Sequence, residues 1–360
     1  MTTHSLVLET HNLEGGSGDV AAPLVRLLAH LAHQTYPVAR LVDLVVTHRG
    51  LSKSDRKRCE EAVPTPITWV ECTEQDGYYD AKNRGFDASR GDVVVFADGD
   101  CWPEATWLAE LVAPFVDEAT RVTAGRTTYR RDLLGTSAST LDFMYFMSPL
   151  GAQYTRNFYA NNVAFRRDVF GTYRYGTHNY YRGHCAMLGL ELHEARVPIL
   201  FVPVARTIHR FPDSVRELIQ LRLTRGRDMY ELTPHLGRGL ADGLHLPRLG
   251  PVVPLAVCAA RLGFSLNAIN RQDMPIARGF KKLAVAATTA AIAVFDAAGA
   301  LAGGLGLLSA DPHATLSYHG NSDGLEAAGD GLPSLTSARP KPVTPQHAKG
   351  TAHRSAQYVS

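Results

Sequence analysis

Apolar residues recur along this chain with two different spacings. Short runs rich in Val, Ile and Leu occupy residues 5–10, 41–46, 67–70 and 92–97, with the length and composition of strands. Between them, Leu24, Leu27, Leu28 and Leu31 fall at helical spacing within residues 20–34. Residues 52–62 read as a polar helix with Ser52 or Ser54 as cap, and Asp80 opens a helix that runs to about residue 89. A helix over 104–115 and a strand over 121–128 follow. Alternation of this kind predicts a parallel sheet covered by helices on both faces. A loop dense in turn formers, residues 11–18, follows the first strand; its glycine spacing is wrong for a dinucleotide fingerprint.

Beyond residue 130 the pattern loosens. Residues 130–180 are rich in Tyr and Phe, which either line a ligand cleft or fill a second core. Residues 161–165 read as a strand with a short helical turn after it, and residues 185–195 as a helix. Two extended segments, 199–202 and 205–208, end at His209, and Pro212 starts a helix reaching about residue 232. The apolar run 250–260 is too short to span a bilayer and is interrupted by Arg261. Residues 283–308 are long enough, carry one charge, Asp296, and follow Arg278, Lys281 and Lys282. This segment is either membrane-associated, with its N-terminal flank in the cytoplasm, or a buried helix or helical hairpin. Past residue 310 few large apolar residues remain, which predicts a disordered tail. The expected units are therefore 1–235, a helical region 236–310, and a tail 311–360.

Composition narrows the function. With 360 residues the chain can bury a large core. A net charge of +2 without a basic block gives a nucleic-acid partner no electrostatic support. Five scattered cysteines, none in a Cys-x-x-Cys pair, favour a reducing compartment over disulfides or structural zinc. There is no signal-peptide pattern at the N-terminus.

The chemistry concentrates where the strand over residues 93–97 ends in Asp98-Gly99-Asp100. Two residues apart in extended backbone, the carboxylates share one face, and such oxygen donors suit a divalent cation holding phosphate. The same residues are also ordinary turn formers.

The residues around this pair form a longer composite. Lys82, Asn83 and Gly85 precede it on a helix, residues 88–92 form a turn into the strand, and Trp102-Pro103 and Trp107-Leu108 follow. This stretch of roughly thirty residues resembles the nucleotide-sugar half of glycosyltransferase family 2. Weaker likeness extends over about residues 5–230, through Gln34-Thr-Tyr-Pro37, Asn162-Val-Ala-Phe-Arg-Arg167 and the segment ending at His209. The resemblance implies a GT-A fold, a single Rossmann-like α/β domain. It also implies transfer of a sugar from a nucleotide-diphospho-sugar to a glycan or lipid-linked acceptor, inverting and of hexosyltransferase type. Asp98 and Asp100 would hold Mg²⁺ or Mn²⁺, with His209 either a further ligand or a strand-end residue. Lys82, Asn83 and Arg225 would serve the donor.

Three departures stand out. Val46-Thr47-His48 replaces the family's Asp after the second strand, leaving base recognition to Glu9 or other side chains. His184-Cys185 replaces the acceptor-side Glu-Asp, so either His184 is the catalytic base or it only packs or caps a helix, the base being another carboxylate. Gly226 stands where processive synthases carry Trp after Arg222-Leu-Thr-Arg225, which argues against a polymerase. The reading that follows is a cytoplasmic enzyme at the inner face of the plasma membrane, working in cell-envelope glycan or glycolipid synthesis. The alternative is a degenerate relative that only binds nucleotide sugars.

Overall fold

The computed structural model describes residues 2–13, 21–176, 183–240, 252–271 and 278–308. All lie in one compact unit, Met1–Gly329; the second unit, Asp330–Ser360, and the expected tail fall outside the described residues. In chain order the elements are β1 (His4–Glu9), α1 (Ala21–Ala32), β2 (Asp43–His48), α2 (Lys53–Ala62), β3 (Ile67–Glu71), α3 (Tyr78–Ala88), β4 (Val93–Asp98), β5 (Cys101–Pro103), α4 (Trp107–Val112), β6 (Val122–Thr128) and α5 (Leu133–Asp142). Then come β7 (Met147–Ser148), β8 (Gly151–Thr155), β9 (Asn162–Arg166), α6 (Arg167–Thr172), α7 (His184–Glu194), β10 (Ile199–His209), α8 (Val215–Leu240), α9 (Val252–Arg271) and α10 (Lys281–Gly304). Ser52 caps α2, its hydroxyl accepting from the Asp55 amide at 3.1 Å. Helix α3 begins two residues earlier than expected because the Asp80 carboxylate reaches back to the Gly77 amide, 2.9 Å.

The strands form one sheet in the order β3-β2-β1-β4-β9-β6-β10-β8-β7, with β5 paired to β10. Its first four members are parallel, as the alternation predicts. The second half is not: β9 runs antiparallel between β4 and β6, so the sheet is mixed. Strand β10 is also longer than expected. Its two apolar segments belong to one strand of 11 residues, whose register against β6 slips between Val202 and Arg206. Pro203 has no amide to give the ladder, which accounts for the interruption.

Both sheet faces are covered, which is why the strands read as unbroken apolar runs. Leu6 and Leu8 of β1 pack with α1, α2 and α4 through Leu24, Leu28, Cys59 and Trp107. Val7 points the other way, among Phe86 of α3, Phe170 of α6 and Leu188 of α7. Asn162 fixes the centre: its side chain accepts from Trp107 Nε1 at 2.8 Å and donates to the Ala205 carbonyl at 3.1 Å. A β-carbon on Gly125 would collide with that Asn162 oxygen, so β6 needs glycine there.

Of the run 250–260, expected to be too short to span a bilayer, the described residues 252–260 lie in a helix that continues to Arg271. Arg261 does not interrupt it, because its guanidinium turns inward and donates to the Leu141 carbonyl at 2.7 Å. Val252–Ile269 and Lys281–Gly304 are both long and apolar enough, by length and composition, to cross a membrane. Helix α10 seals one face against α5, α8 and α9. Its one acidic residue, Asp296, is buried in a bidentate pair with Arg222 of α8, which also donates to Asp142 of α5 at 2.5 Å. Cβ atoms at Gly226 and Gly299 would strike the backbone of the facing helix, so these glycines allow the two helices to touch. The expected boundary at residue 235 falls within α8.

Candidate active site

Strand register builds the site. Pairing of β1 with β4 sets Glu9 beside Asp98 at the carboxyl ends of parallel strands, where open α/β sheets bind ligands. Pairing of β5 with β10 sets His209 against Cys101, next to Asp100. The result is a cluster of Asp98, Asp100, Cys101 and His209 whose donor atoms lie within 4.8 Å of one another.

Each member has a distinct electrostatic setting. Lys82 of α3 is wholly buried and holds Asp98 Oδ1 at 2.5 Å, so this carboxylate has a matched charge. Tyr78, one turn earlier on α3, donates to both Asp98 oxygens at 2.9 and 2.8 Å. Burial pushes the Tyr78 phenol well above its ordinary pKa, with the Asp98 charge adding to it, so the hydroxyl stays protonated and donating. Asp100 is fully buried, and its Oδ2 has no hydrogen-bond partner. Burial raises its pKa; the neighbouring His209 opposes that. Glu9 is also fully buried and shifted upward, by burial first and then by Asp98.

A divalent cation fits this arrangement. His209 Nδ1 donates to the Arg210 carbonyl at 2.8 Å, which leaves Nε2 as a lone pair facing Asp100 Oδ2 at 3.8 Å. The orphaned Oδ2 is a ligand atom in search of a cation. Two carboxylates and an imidazole suit Mg²⁺ or Mn²⁺. Cys101 does not compete, because burial and the adjacent Asp100 push its thiol pKa well up and keep it protonated.

The cluster opens into a cavity of about 680 Å³. Asp98, Tyr78 and His209 stand at its wall, together with Arg225, Asp142 and Asp228. Apolar side chains supply most of the remainder, including Phe146, Met187, Leu190, Leu232 and, from α9, Val257 and Phe264. The aromatic middle of the chain thus divides: Phe143, Phe146 and Tyr159 line the cavity, whereas Phe165, Phe170 and Tyr175 fill the core.

Of the residues singled out in the sequence, Lys82, Asp98, Asp100 and His209 are brought together. Arg225 lines the same cavity, paired with Asp142 and donating to the Tyr129 hydroxyl at 3.0 Å. Asn83 points elsewhere; its amide donates to the Tyr175 carbonyl at 2.9 Å. His184 starts α7 and lies flat on Tyr79, with ring centroids 4.3 Å apart and planes 5° apart. The described cavity wall includes Gly183 and Cys185 but not His184. Sequence reasoning passed over Tyr78 and Tyr129. The first was detectable, since it precedes Lys82 by four residues and so shares its helix face. The second was not: Tyr129 abuts His209 edge to face at 5.7 Å only because β6 and β10 are neighbours.

Comparison with known proteins agrees with this geometry. The model of glycosyl transferase family 2 matches residues 17–179. Glycosyltransferase AglE of Haloferax volcanii is 29% identical over 125 residues, 34% of this chain and 40% of that relative's length. The mannosyltransferase PcManGT of Pyrobaculum calidifontis, solved with GDP-Man and Mn²⁺, superposes with a TM-score of 0.53 at 19% identity, over 84% of this chain and 87% of that one. Parallel β1–β4, the buried acidic cluster at their carboxyl ends and these likenesses lead to one assignment: residues 17–179 match glycosyl transferase family 2, on a fold of the GT-A kind.

Proposed function

We propose that the protein transfers a sugar, with inversion, from a nucleotide-diphospho-sugar to an acceptor held in the 680 Å³ cavity. The observation that carries this reading is the cluster of Asp98, Asp100 and His209, of which Asp98 and His209 line the cavity while the buried Asp100 keeps an unsatisfied oxygen. The GDP-Man and Mn²⁺ bound to the Pyrobaculum enzyme support a donor of this class. A divalent cation bound there would neutralise charge on the departing diphosphate. The chain's own groups prepare for it. Lys82 and Tyr78 hold the Asp98 carboxylate in a fixed orientation. Tyr129 and Phe143 wedge the His209 ring from two sides. Arg225, beside Asp142, offers positive charge to the donor phosphates across the cavity.

The attacking hydroxyl needs a proton acceptor. His184 would have to leave its stack on Tyr79 to reach the cavity. The Asp228 carboxylate already lines it, beside Arg227. That placement favours Asp228 as base, with His184 holding Tyr79 in position. An apolar wall drawn partly from α9 suits a lipid-linked acceptor, and with it a role in cell-envelope glycan or glycolipid synthesis at the inner face of the membrane. The test is turnover of UDP-, GDP- and dTDP-sugars with Mn²⁺, alongside thermal shift with each nucleotide. Transfer or hydrolysis that vanishes in Asp100→Ala is expected. Nucleotide binding without product release from any acceptor would instead establish a sugar-binding protein.

A further inference from the structure

Helix α10 is polar on the wrong side for a surface helix in water. Its buried stripe takes in the polar Thr289 and Asp296 beside Val285, Ile292 and the small residues that contact α8. Its outward stripe is apolar: Leu283 is 69% exposed and Val294 64%, with Phe295, Leu301 and Leu305 beside them. A water-facing helix shows the reverse arrangement. A contiguous apolar face of this size marks an interaction surface. Helix α9 repeats the pattern, with Arg261 and Ser265 turned inward to Leu141 and Thr140, and Val252 outward.

The occupant is indicated by charge. Arg278, Lys281 and Lys282 cluster at the start of α10 around Phe280, which is 91% exposed. Basic side chains around an exposed aromatic ring, leading into an apolar face, match an anionic lipid headgroup layer above acyl chains. Length alone would let α10, at about 36 Å for its 24 residues, cross a bilayer. The packing forbids it. Val285 accepts from Ser137 at 3.3 Å near one end, Asp296 holds Arg222 in the middle, and Gly303 lies against Arg227 near the other. The inward face is thus fastened to α5 and α8 along its whole length, and α8 carries charged residues that cannot follow it into acyl chains.

We infer that the outward face of α10, with the basic cluster at its start, lies in the plane of an anionic membrane surface rather than across the bilayer. This holds whatever sugar the site transfers. It also sets the cavity wall contributed by α9 next to the lipid.

The experiment is co-sedimentation of the full chain with vesicles of phosphatidylcholine alone or mixed with phosphatidylglycerol. Binding is expected only with the anionic lipid. Lys281→Glu with Lys282→Glu is expected to weaken it by an order of magnitude or more. Val294→Glu, which points away from every packed helix, should abolish it while the circular dichroism melt stays unchanged; if that variant unfolds, the charge-reversal pair still decides. Depth comes from Leu283→Trp, Val294→Trp and Leu301→Trp, read as added quenching by brominated lipid over the parent. Equal shallow quenching at all three supports a helix in the plane. A maximum at residue 294 shows a spanning helix and overturns the inference. So does equal binding to neutral vesicles, or a stable dimer in solution that buries this face and binds no vesicle.

Discussion

Replacing Arg222 with methionine tests the link between the C-terminal helices and the catalytic unit. The guanidinium is 1% exposed and makes three charged hydrogen bonds, two to Asp296 and one to Asp142. Asp142 keeps Arg225 and the Tyr129 hydroxyl after the change, so it remains neutralised. Asp296 does not, and a buried carboxylate stripped of its partner costs about 3–5 kcal/mol. Domain stabilities are about 5–15 kcal/mol, so this is a large share. At about 2–4 °C per kcal/mol for a domain of this size, the melting temperature should drop by about 6–20 °C. The assay is thermal unfolding followed by circular dichroism at fixed pH and salt. The double variant Arg222→Met with Asp296→Leu removes the orphaned charge and should recover most of the loss, a coupling that a double-mutant cycle measures directly. A single variant melting within 2 °C of the parent (roughly 1 kcal/mol or less), or a double variant no better than the single, would refute the reasoning.

Three further outcomes concern the site. Asp100→Asn keeps the shape but removes the anionic oxygen facing His209, so Mn²⁺ affinity by calorimetry should fall at least tenfold and transfer by about two orders of magnitude. Because burial holds protons on Asp100 and Glu9 above the ordinary carboxylate range, cation binding must expel them; Mn²⁺ should bind more tightly as pH rises from 5 to 7, with proton release visible as buffer-dependent heat, and a pH-independent affinity would contradict this. His184→Phe preserves a ring stacked on Tyr79 and should retain most of kcat, whereas Asp228→Asn should lower kcat by about 10²–10⁴ with little change in donor KM; the opposite ranking would make His184 the base.

The acidic part of the candidate site was legible because its signals are local. Asp98 and Asp100 sit on one strand end, and Lys82 on the helix just before it, so their meeting depends only on one strand–helix unit. The mixed sheet was not legible: the direction of β9 is set by where β4 and β6 leave room, not by its own residues. His209 could be named as a strand end, but its place beside Asp100 needed the pairing of β5 with β10. Arg261 looked like a break in an apolar run because a sequence does not show that the Leu141 carbonyl waits for it. Gly226 looked like a missing Trp, and the contact with Asp296 that requires glycine there comes from a helix far along the chain.

The insertion of β9 has a consequence for synthesis on the ribosome. Strand β4, which carries Asp98, has β1 on one side early, but its other edge stays bare until residues 162–166 emerge. β6, in turn, has its far edge bare until β10 pairs with it, and β10 delivers His209 last. Pairings so distant in sequence form slowly. A growing chain therefore exposes an apolar, unpaired strand edge for much of its translation, the kind of edge that aggregates and that chaperones shield. The acidic residues of the cluster are made long before the imidazole that completes it, so the cluster is assembled only when the sheet has closed.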